Sequence, residues 1–113
     1  MKTSPKIIAA IIREVDTFLE QSLGLHPASV IADLHDSALM IILKDILTQA
    51  EKESIGEKHI AELVSRNYIA SYNAVRQILE TKLTGIVGHA ISHSSLFIDT
   101  QANCGTILCT VSA

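Results

Sequence analysis

The sequence predicts an α+β domain with two layers, in which helices pack on a four-stranded antiparallel sheet. Three observations predict this class: two segments carry apolar residues at helical spacing, four shorter segments are rich in alternating or β-branched residues, and turn-forming residues separate them. The predicted order is helix, hairpin, short helix, long helix, hairpin. A chain of 113 residues has the size of one domain, so we expect a single unit over residues 1–113.

Composition and charge exclude several classes of function. Hydrophobic residues make up 48% of the chain and charged residues 19%, which is typical of a folded protein and not of a disordered one. The net charge is −3 and no segment concentrates basic residues, so we expect neither a nucleic-acid partner nor a polybasic membrane anchor. The longest apolar runs, 7–12 and 38–43, are far shorter than the ~20 residues that a membrane-spanning helix needs.

The compartment is predicted from the cysteines and the first residues. The apolar run after Lys6 stops at Arg13, which is too early for the hydrophobic region of a secretory leader. Without an oxidising compartment, Cys104 and Cys109 are expected to stay reduced. We therefore expect a cytoplasmic protein with no direct insertion into a membrane.

The first helix is predicted over residues 5–23. Ser4 before Pro5 is a typical helix start. The serine side chain accepts a hydrogen bond from a free backbone amide, and proline at the first helical position costs no hydrogen bond because the amide there has no partner within the helix. Gly24 and Pro27 predict where the helix ends. The apolar positions follow helical spacing: Ile7, Ile8, Ile11, Ile12, Val15, Phe18, Leu19 and Leu23.

The first hairpin is predicted from a change to a period of two. Residues 30–34 alternate in character, and a short polar corner leads into segment 38–43. This segment is apolar on both parities, which predicts a strand with both faces covered. Either the first helix, lying on the opposite side, or a second subunit covers the second face. Met40 and Ile42 are therefore candidate interface residues.

Two helices are predicted between the hairpins. Thr48-Gln49-Ala50-Glu51 has the form of a capping box, so a short helix begins there. A helix of about 27 residues follows and ends at Gly85; its length of ~40 Å exceeds the roughly 34 Å diameter expected for the domain. We expect a kink or a dimer as the consequence. Small residues near the middle suit close packing, so Ala70 and Ala74 join the candidate interface.

The last hairpin follows the long helix. Beyond Gly85 the period of two returns, and a strand is predicted from about residue 86 to residue 98. Residues 99–105 are rich in turn formers, and segment 106–111 is predicted as the fourth strand.

The histidines are the main candidates for chemistry. His89 and His93 form H-x-x-x-H, a zinc-binding spacing on a helix, but on the predicted strand they lie about 13 Å apart. A surface or half-buried pair is therefore favoured over a metal site. His35, which the carboxylate of Asp33 could orient, is favoured as part of the hairpin corner. With Asp99, the three histidines define an alternative function as a small-molecule- or metal-binding enzyme.

Other motifs indicate no chemistry. Cys104 has no cation beside it in sequence to lower its pKa, so a nucleophilic role is not favoured. Gly85-Ile86-Val87-Gly88 has the spacing of a phosphate clamp, but a turn between a helix and a strand explains the glycines better. We expect no catalytic residue and no cofactor.

A set of motifs resembles a known family. Leu23-Gly24-Leu25-His26-Pro27-Ala28-Ser29-Val30, then Leu47-Thr48-Gln49-Ala50-Glu51, then Arg76 with Leu83-Thr84-Gly85-Ile86-Val87, are similar to the MpsC-like family, formerly a domain of unknown function. The resemblance covers about residues 8–112. It implies a component of a sodium-translocating, membrane-potential-generating system linked to inorganic-carbon supply, and it supplies no catalytic residues.

The sequence thus favours a non-enzymatic accessory or interaction protein, a homodimer that uses the apolar strand and the long helix. By resemblance, a further partner is a membrane transport protein. The alternative is the enzyme built on His35, His89 and His93.

Overall fold

The computed structural model describes residues 4–112. Its elements follow the predicted order of helix, hairpin, two helices and hairpin. They are α1 (Pro5–Phe18, continued by a π-helical turn at Leu19–Leu23), β1 (Ser29–Leu34), β2 (Ala38–Lys44), α2 (Gln49–Ser54), α3 (Lys58–Val87), β3 (Ala90–Asp99) and β4 (Cys104–Ser112). The predicted α+β class is confirmed.

Within the described residues, the strands form one four-stranded antiparallel sheet in the order β1-β2-β4-β3. The last strand of the chain therefore lies between β2 and β3. Its pairing with β2 brings Met40 opposite Leu108 and Ile41 opposite Ile107. This pairing joins the two hairpins, and it leaves β1 and β3 as the edges of the sheet.

The start and end of α1 follow the local sequence signals. The Ser4 hydroxyl accepts a hydrogen bond from the Ile7 amide at 3.2 Å, and Pro5 opens the helix. The helix widens to π geometry over its last turn and stops at Gly24, whose φ of 64° is left-handed. The predicted extent of 5–23 is confirmed, although the sequence did not indicate the π turn.

The end of α3 differs from the prediction. The helix passes through Gly85 and stops at Gly88, whose φ of 80° lies in the left-handed region. Gly85 is tolerated inside the helix, whereas the left-handed conformation at Gly88 breaks it. The strand predicted from residue 86 consequently begins only at Ala90, and His89 lies in the connection before it. The fourth strand begins at Cys104, two residues earlier than predicted.

The long helix is continuous over 30 residues. At 1.5 Å per residue it is about 45 Å long, which matches the 44 Å long axis of the molecule. The excess length is therefore accommodated by an elongated domain, whose other axes are 23 Å.

The core lies between the sheet and the two long helices. In β2, Leu39, Ile41 and Leu43 point into this layer and are at most 1% exposed. The ring of Phe18 from α1 meets the ring of Tyr72 from α3 edge to face, with centroids 6.1 Å apart. Buried residues from every layer complete the core: Ile11, Val15, Leu19, Leu34, Ile46, Leu47, Leu79, Leu83, Val87, Ile91, Leu96, Ile107, Cys109 and Val111.

Both long helices cover the same side of the sheet. α1 packs against β1 and α3, and α3 packs against β3. Lys82 and Glu14 form an ion pair at 3.7 Å between the two helices. Of the two alternatives for the second face, coverage by α1 is therefore wrong, because α1 and α3 form one layer. The second face of the sheet has no helix on it among the described residues.

The two glycines at the end of α3 give a matched test of this helix boundary. We expect Gly85→Ala to raise the free energy of unfolding by about 0.5–1 kcal/mol, because alanine suits a helix interior and open space surrounds the position. Gly88→Ala should lower it by about 1–2 kcal/mol, because alanine is strained at a left-handed φ. Urea unfolding of both variants measures the two changes in the free energy of unfolding. If both changes had the same sign, α3 would end at a residue other than Gly88.

Candidate functional site

The uncovered side of the sheet carries a continuous apolar surface. The register aligns Ile31 with Ile42, and Met40 with Leu108. Phe97 extends the surface across the sheet and is 55% exposed, whereas Met40, Leu108 and Ile31 are 40–43% exposed. We call this surface the open sheet face and define it by six residues: Ile31, Met40, Ile42, Phe97, Thr106 and Leu108.

Charged residues border the open sheet face. Asp33 stands on β1 beside Met40, while Lys44 and Asp99 lie at the ends of their strands. An apolar centre within a polar rim is the usual anatomy of a protein interface. Soluble domains rarely expose a large contiguous apolar patch, and such a patch marks an interaction surface.

The predicted interface residues fall into two groups. Met40 and Ile42 lie on the open sheet face. Ala70 and Ala74 are exposed on α3, where helical spacing places them opposite the buried Tyr72. The two pairs thus lie on opposite sides of the domain, and one flat interface cannot contain both.

The histidines of the alternative enzyme do not converge. His35 follows β1 at one edge of the sheet, with its Nε2 3.0 Å from Asp33 Oδ2, whereas His93 lies in β3 at the other edge. Three strand spacings separate these edges by about 14 Å. His89 precedes β3 and Asp99 ends it, about 30 Å away along the strand. Over residues 4–112, no group of three or more His, Cys, Asp or Glu side chains is arranged to hold a metal ion.

The capping box predicted at Thr48 is confirmed and has a further partner. The Glu51 amide donates to the Thr48 hydroxyl at 3.2 Å, and the Thr48 amide donates to Glu51 Oε1 at 2.8 Å. The Tyr68 hydroxyl of α3 also donates to Glu51 Oε1, at 2.6 Å. Burial, reinforced by the Glu51 carboxylate, raises the pKa of Tyr68. Glu51 therefore ties α2 to α3 in addition to capping α2.

Two of the stretches that resemble the family meet at this junction. The π turn of α1 and the start of α2 line one cleft, together with side chains of α3. Its lining residues are Leu23, Gly24, Leu25, Thr48, Glu51, Asn67, Tyr68 and Ser71. The sequence did not indicate that these two stretches are neighbours, because they are separated by the first hairpin.

A second polar network joins α3 to β3. Glu80 Oε2 accepts hydrogen bonds from the Ser94 amide at 2.9 Å, from the Ser94 hydroxyl, and from Arg76 at 3.3 Å. The Tyr72 hydroxyl donates to Ser94 Oγ at 2.7 Å. The sequence analysis did not predict this network. A signal for it was present in Glu80, an acidic residue that follows the buried Leu79 on the inner side of α3.

The buried tyrosine and cysteine of this region are not reactive groups. Burial raises the pKa of Tyr72. Burial is also the larger of two causes that raise the pKa of the Cys109 thiol from 9.0 to about 12, and the nearby negative charge of Glu80 is the smaller. A thiol with such a pKa stays protonated at neutral pH and is a poor nucleophile. Cys104 is half-buried at the start of β4.

Comparison with protein families decides the identity. A family model described as "Na+-translocating membrane potential-generating system (MpsC)" matches residues 3–113. The chain belongs to the MpsC family. This membership connects it to a membrane transport system, as the resemblance implied. Neither the curated proteins nor the solved structures include a match to it. In the part of the chain that the structure describes, no helix combines the length and the apolar character needed to cross a bilayer.

The Glu80 network predicts a clear difference between two acidic positions on α3. We expect Glu80→Ala to lower the free energy of unfolding by about 2–3 kcal/mol, because the buried Ser94 donors lose their acceptor. Glu62→Ala is the control on the exposed side of the same helix and should change it by less than about 0.5 kcal/mol. Denaturant unfolding of both variants gives the comparison, and equal costs would show that the network does not support β3.

The raised pKa of Cys109 predicts a pH dependence of stability. The unfolded thiol ionises near its ordinary pKa of 9.0 and the folded one near 12, so its contribution is complete below pH 9 and disappears as the pH rises toward 12. We expect Cys109→Ala to flatten the alkaline decline of the unfolding free energy relative to the parent protein. Cys104→Ala, the control, should leave that slope unchanged; a flatter slope in this variant instead would contradict the assignment.

Proposed function

We propose that this chain is a non-enzymatic accessory subunit of a membrane-potential-generating system, that it acts in the cytoplasm, and that two copies pair through the open sheet face. Family membership supports the cellular context. The single observation that supports the pairing is the exposed apolar surface around Met40 and Leu108 on a sheet whose other side is already packed.

The size of the open sheet face suits a dimer. Four strands spaced by ~4.8 Å, each of six to nine paired residues at ~3.4 Å, cover about 500 Å² in flat projection. Side chains roughen this surface, so its accessible area exceeds the projection. A standard protein interface buries about 800 Å² on each partner, which is of the same order.

A second copy is the occupant that fits this surface best. Sheets pack face to face with their strands at about 30°, and their inner side chains interdigitate. A two-fold axis places the same surface on both sides of the interface, so an apolar centre meets an apolar centre and a polar rim meets a polar rim. Met40, Leu108 and Phe97 would supply the centre, with Asp33 and Lys44 in the rim.

The helical side would remain available in such a dimer. α1 and α3 lie away from the open sheet face, together with the exposed Leu63, Ala70 and Ala74. A membrane transport protein would therefore meet the helical layer, while the sheets hold the two copies together. No catalytic step is assigned, because the buried polar groups Glu80, Ser94 and Tyr72 are engaged with one another.

A matched pair of lysine substitutions tests the dimer. Leu108 on the open sheet face and Ile78 on α3 are similarly exposed, at 41% and 48%. We expect the parent protein to have twice its chain mass of 12.2 kDa in light scattering and sedimentation at about 1–100 µM. Leu108→Lys should be monomeric, because it places a charge in the desolvated centre, and Ile78→Lys should remain dimeric.

Two results would overturn this proposal. A parent protein that stays monomeric throughout the concentration range would assign the open sheet face to a different partner. A Leu108→Lys variant that dimerises like the parent would move the interface elsewhere. Circular dichroism of both variants establishes that each is folded before its mass is interpreted.

A further inference from the structure

The free edge of β3 carries an irregularity. The pairing of β3 with β4 shifts register between Ser92 and Ser95, so that His93 and Ser94 together oppose one residue of β4, Cys109. Bulges of this kind bend an edge strand and redirect a side chain, and they are over-represented beside functional sites. The bulge places Ser94 in the core and His93 in solvent.

His93 is held in a strained backbone conformation. Its φ of 52° lies in the left-handed region, which costs free energy for a residue with a side chain. The next residue, Ser94, is fixed by Glu80 and Tyr72, so the chain cannot relax at this point without losing buried hydrogen bonds. Strain that the surroundings maintain in this way collects at binding sites.

A polar cleft opens between the bulge and α3. It is lined by Asn73, Arg76, His93, Ser94 and Ser95. The lining offers an amide, a guanidinium, an imidazole and the Ser95 hydroxyl, whereas the Ser94 hydroxyl already donates to Glu80. The cleft is therefore rich in hydrogen-bond donors.

Arg76 is the residue best placed to bind an anion there. Its side chain is 37% exposed, and NH1 donates to Glu80 at 3.3 Å. A guanidinium carries five N–H donors in a rigid fork, so this one contact holds the group in place and leaves donors on its exposed side. The Glu80 carboxylate is 13% exposed and lies behind two of the lining residues, since its Oε2 accepts hydrogen bonds from Ser94 and Arg76.

We propose that this cleft binds a small oxyanion, either a carboxylate or a phosphate, between Arg76 and His93. The planar fork of Arg76 matches two oxygens of such a group. Asn73 and Ser95 supply further polar contacts from the two walls of the cleft. The exposed His93 lines this cleft together with Asn73 and Arg76 of α3, and its Nδ1 lies 3.0 Å from the Ser92 hydroxyl. The proposal does not require dimerisation through the open sheet face, although Ser95 is paired with Leu108 of that face.

The test is titration of ¹⁵N-labelled protein with inorganic phosphate and, separately, with sodium acetate at constant ionic strength. We expect saturable shifts of the amides of residues 73, 76 and 93–95 with at least one of the two anions. Arg76→Gln should weaken binding by about tenfold or more, because it removes the charged fork. Arg66→Gln, an exposed arginine of the same helix outside this cleft, should bind like the parent.

Two glycine variants separate binding from backbone strain. His93→Gly removes the imidazole and relieves the left-handed strain, so we expect weaker anion binding with an unchanged or higher melting temperature. Asp45→Gly relieves a similar strain, at a φ of 55°, in the connection after β2, and should leave anion binding unchanged.

The acetate and phosphate arms identify the source of the anion. Tighter binding of acetate would indicate a carboxylate ligand, and tighter binding of phosphate a phosphate ligand. Absence of saturable shifts with both anions, or unchanged binding in Arg76→Gln, would overturn the proposal. Because the titration is read residue by residue, a monomeric or a dimeric protein gives an equally clear answer.

Discussion

The rest of the structure depends on one constraint. The sheet has apolar residues on both faces, but the helices cover only one of these faces. Leu39, Ile41 and Leu43 are buried beneath α1 and α3, whereas Met40 and Leu108 point the other way. Full burial of a large apolar side chain is worth about 1.5–3 kcal/mol. The half-exposed residues of the open sheet face therefore provide a driving force for association that the single chain cannot use.

A second constraint acts at the edge of the sheet. The bulge in β3 would leave the Ser94 amide without a partner in β4, and Glu80 replaces that partner from α3. Tyr72 completes the arrangement by bonding the Ser94 hydroxyl in the core. Because a buried unpaired amide is costly, Glu80 and the bulge depend on each other. The same hydrogen bonds that hold the strand on the helix also fix the position of His93 beside Arg76.

Local signals were sufficient to predict most elements and insufficient to predict how they assemble. The Ser4-Pro5 start, the Gly24 stop and the capping box at Thr48 depend on nearby residues, and each was read correctly from the sequence. The prediction that α3 ends at Gly85 was wrong, because both glycines fit a stop and only the backbone conformation separates them. The β2–β4 pairing, the Tyr68–Glu51 contact and the Glu80 network join distant residues, and periodicity carries no information about such pairs.

The edges of the sheet are poorer routes to assembly than its open face. At β3 the bulge around His93 interrupts the row of backbone groups that an added strand would need. At the other edge, β1 offers only six residues and packs against α1. The face has neither limitation, since Ile31, Met40 and Leu108 lie in adjacent strands and form one surface. A second copy that packed there would bury apolar area and would leave the hydrogen-bonded ladders of both sheets intact, and for this reason the proposed pairing uses the face rather than an edge.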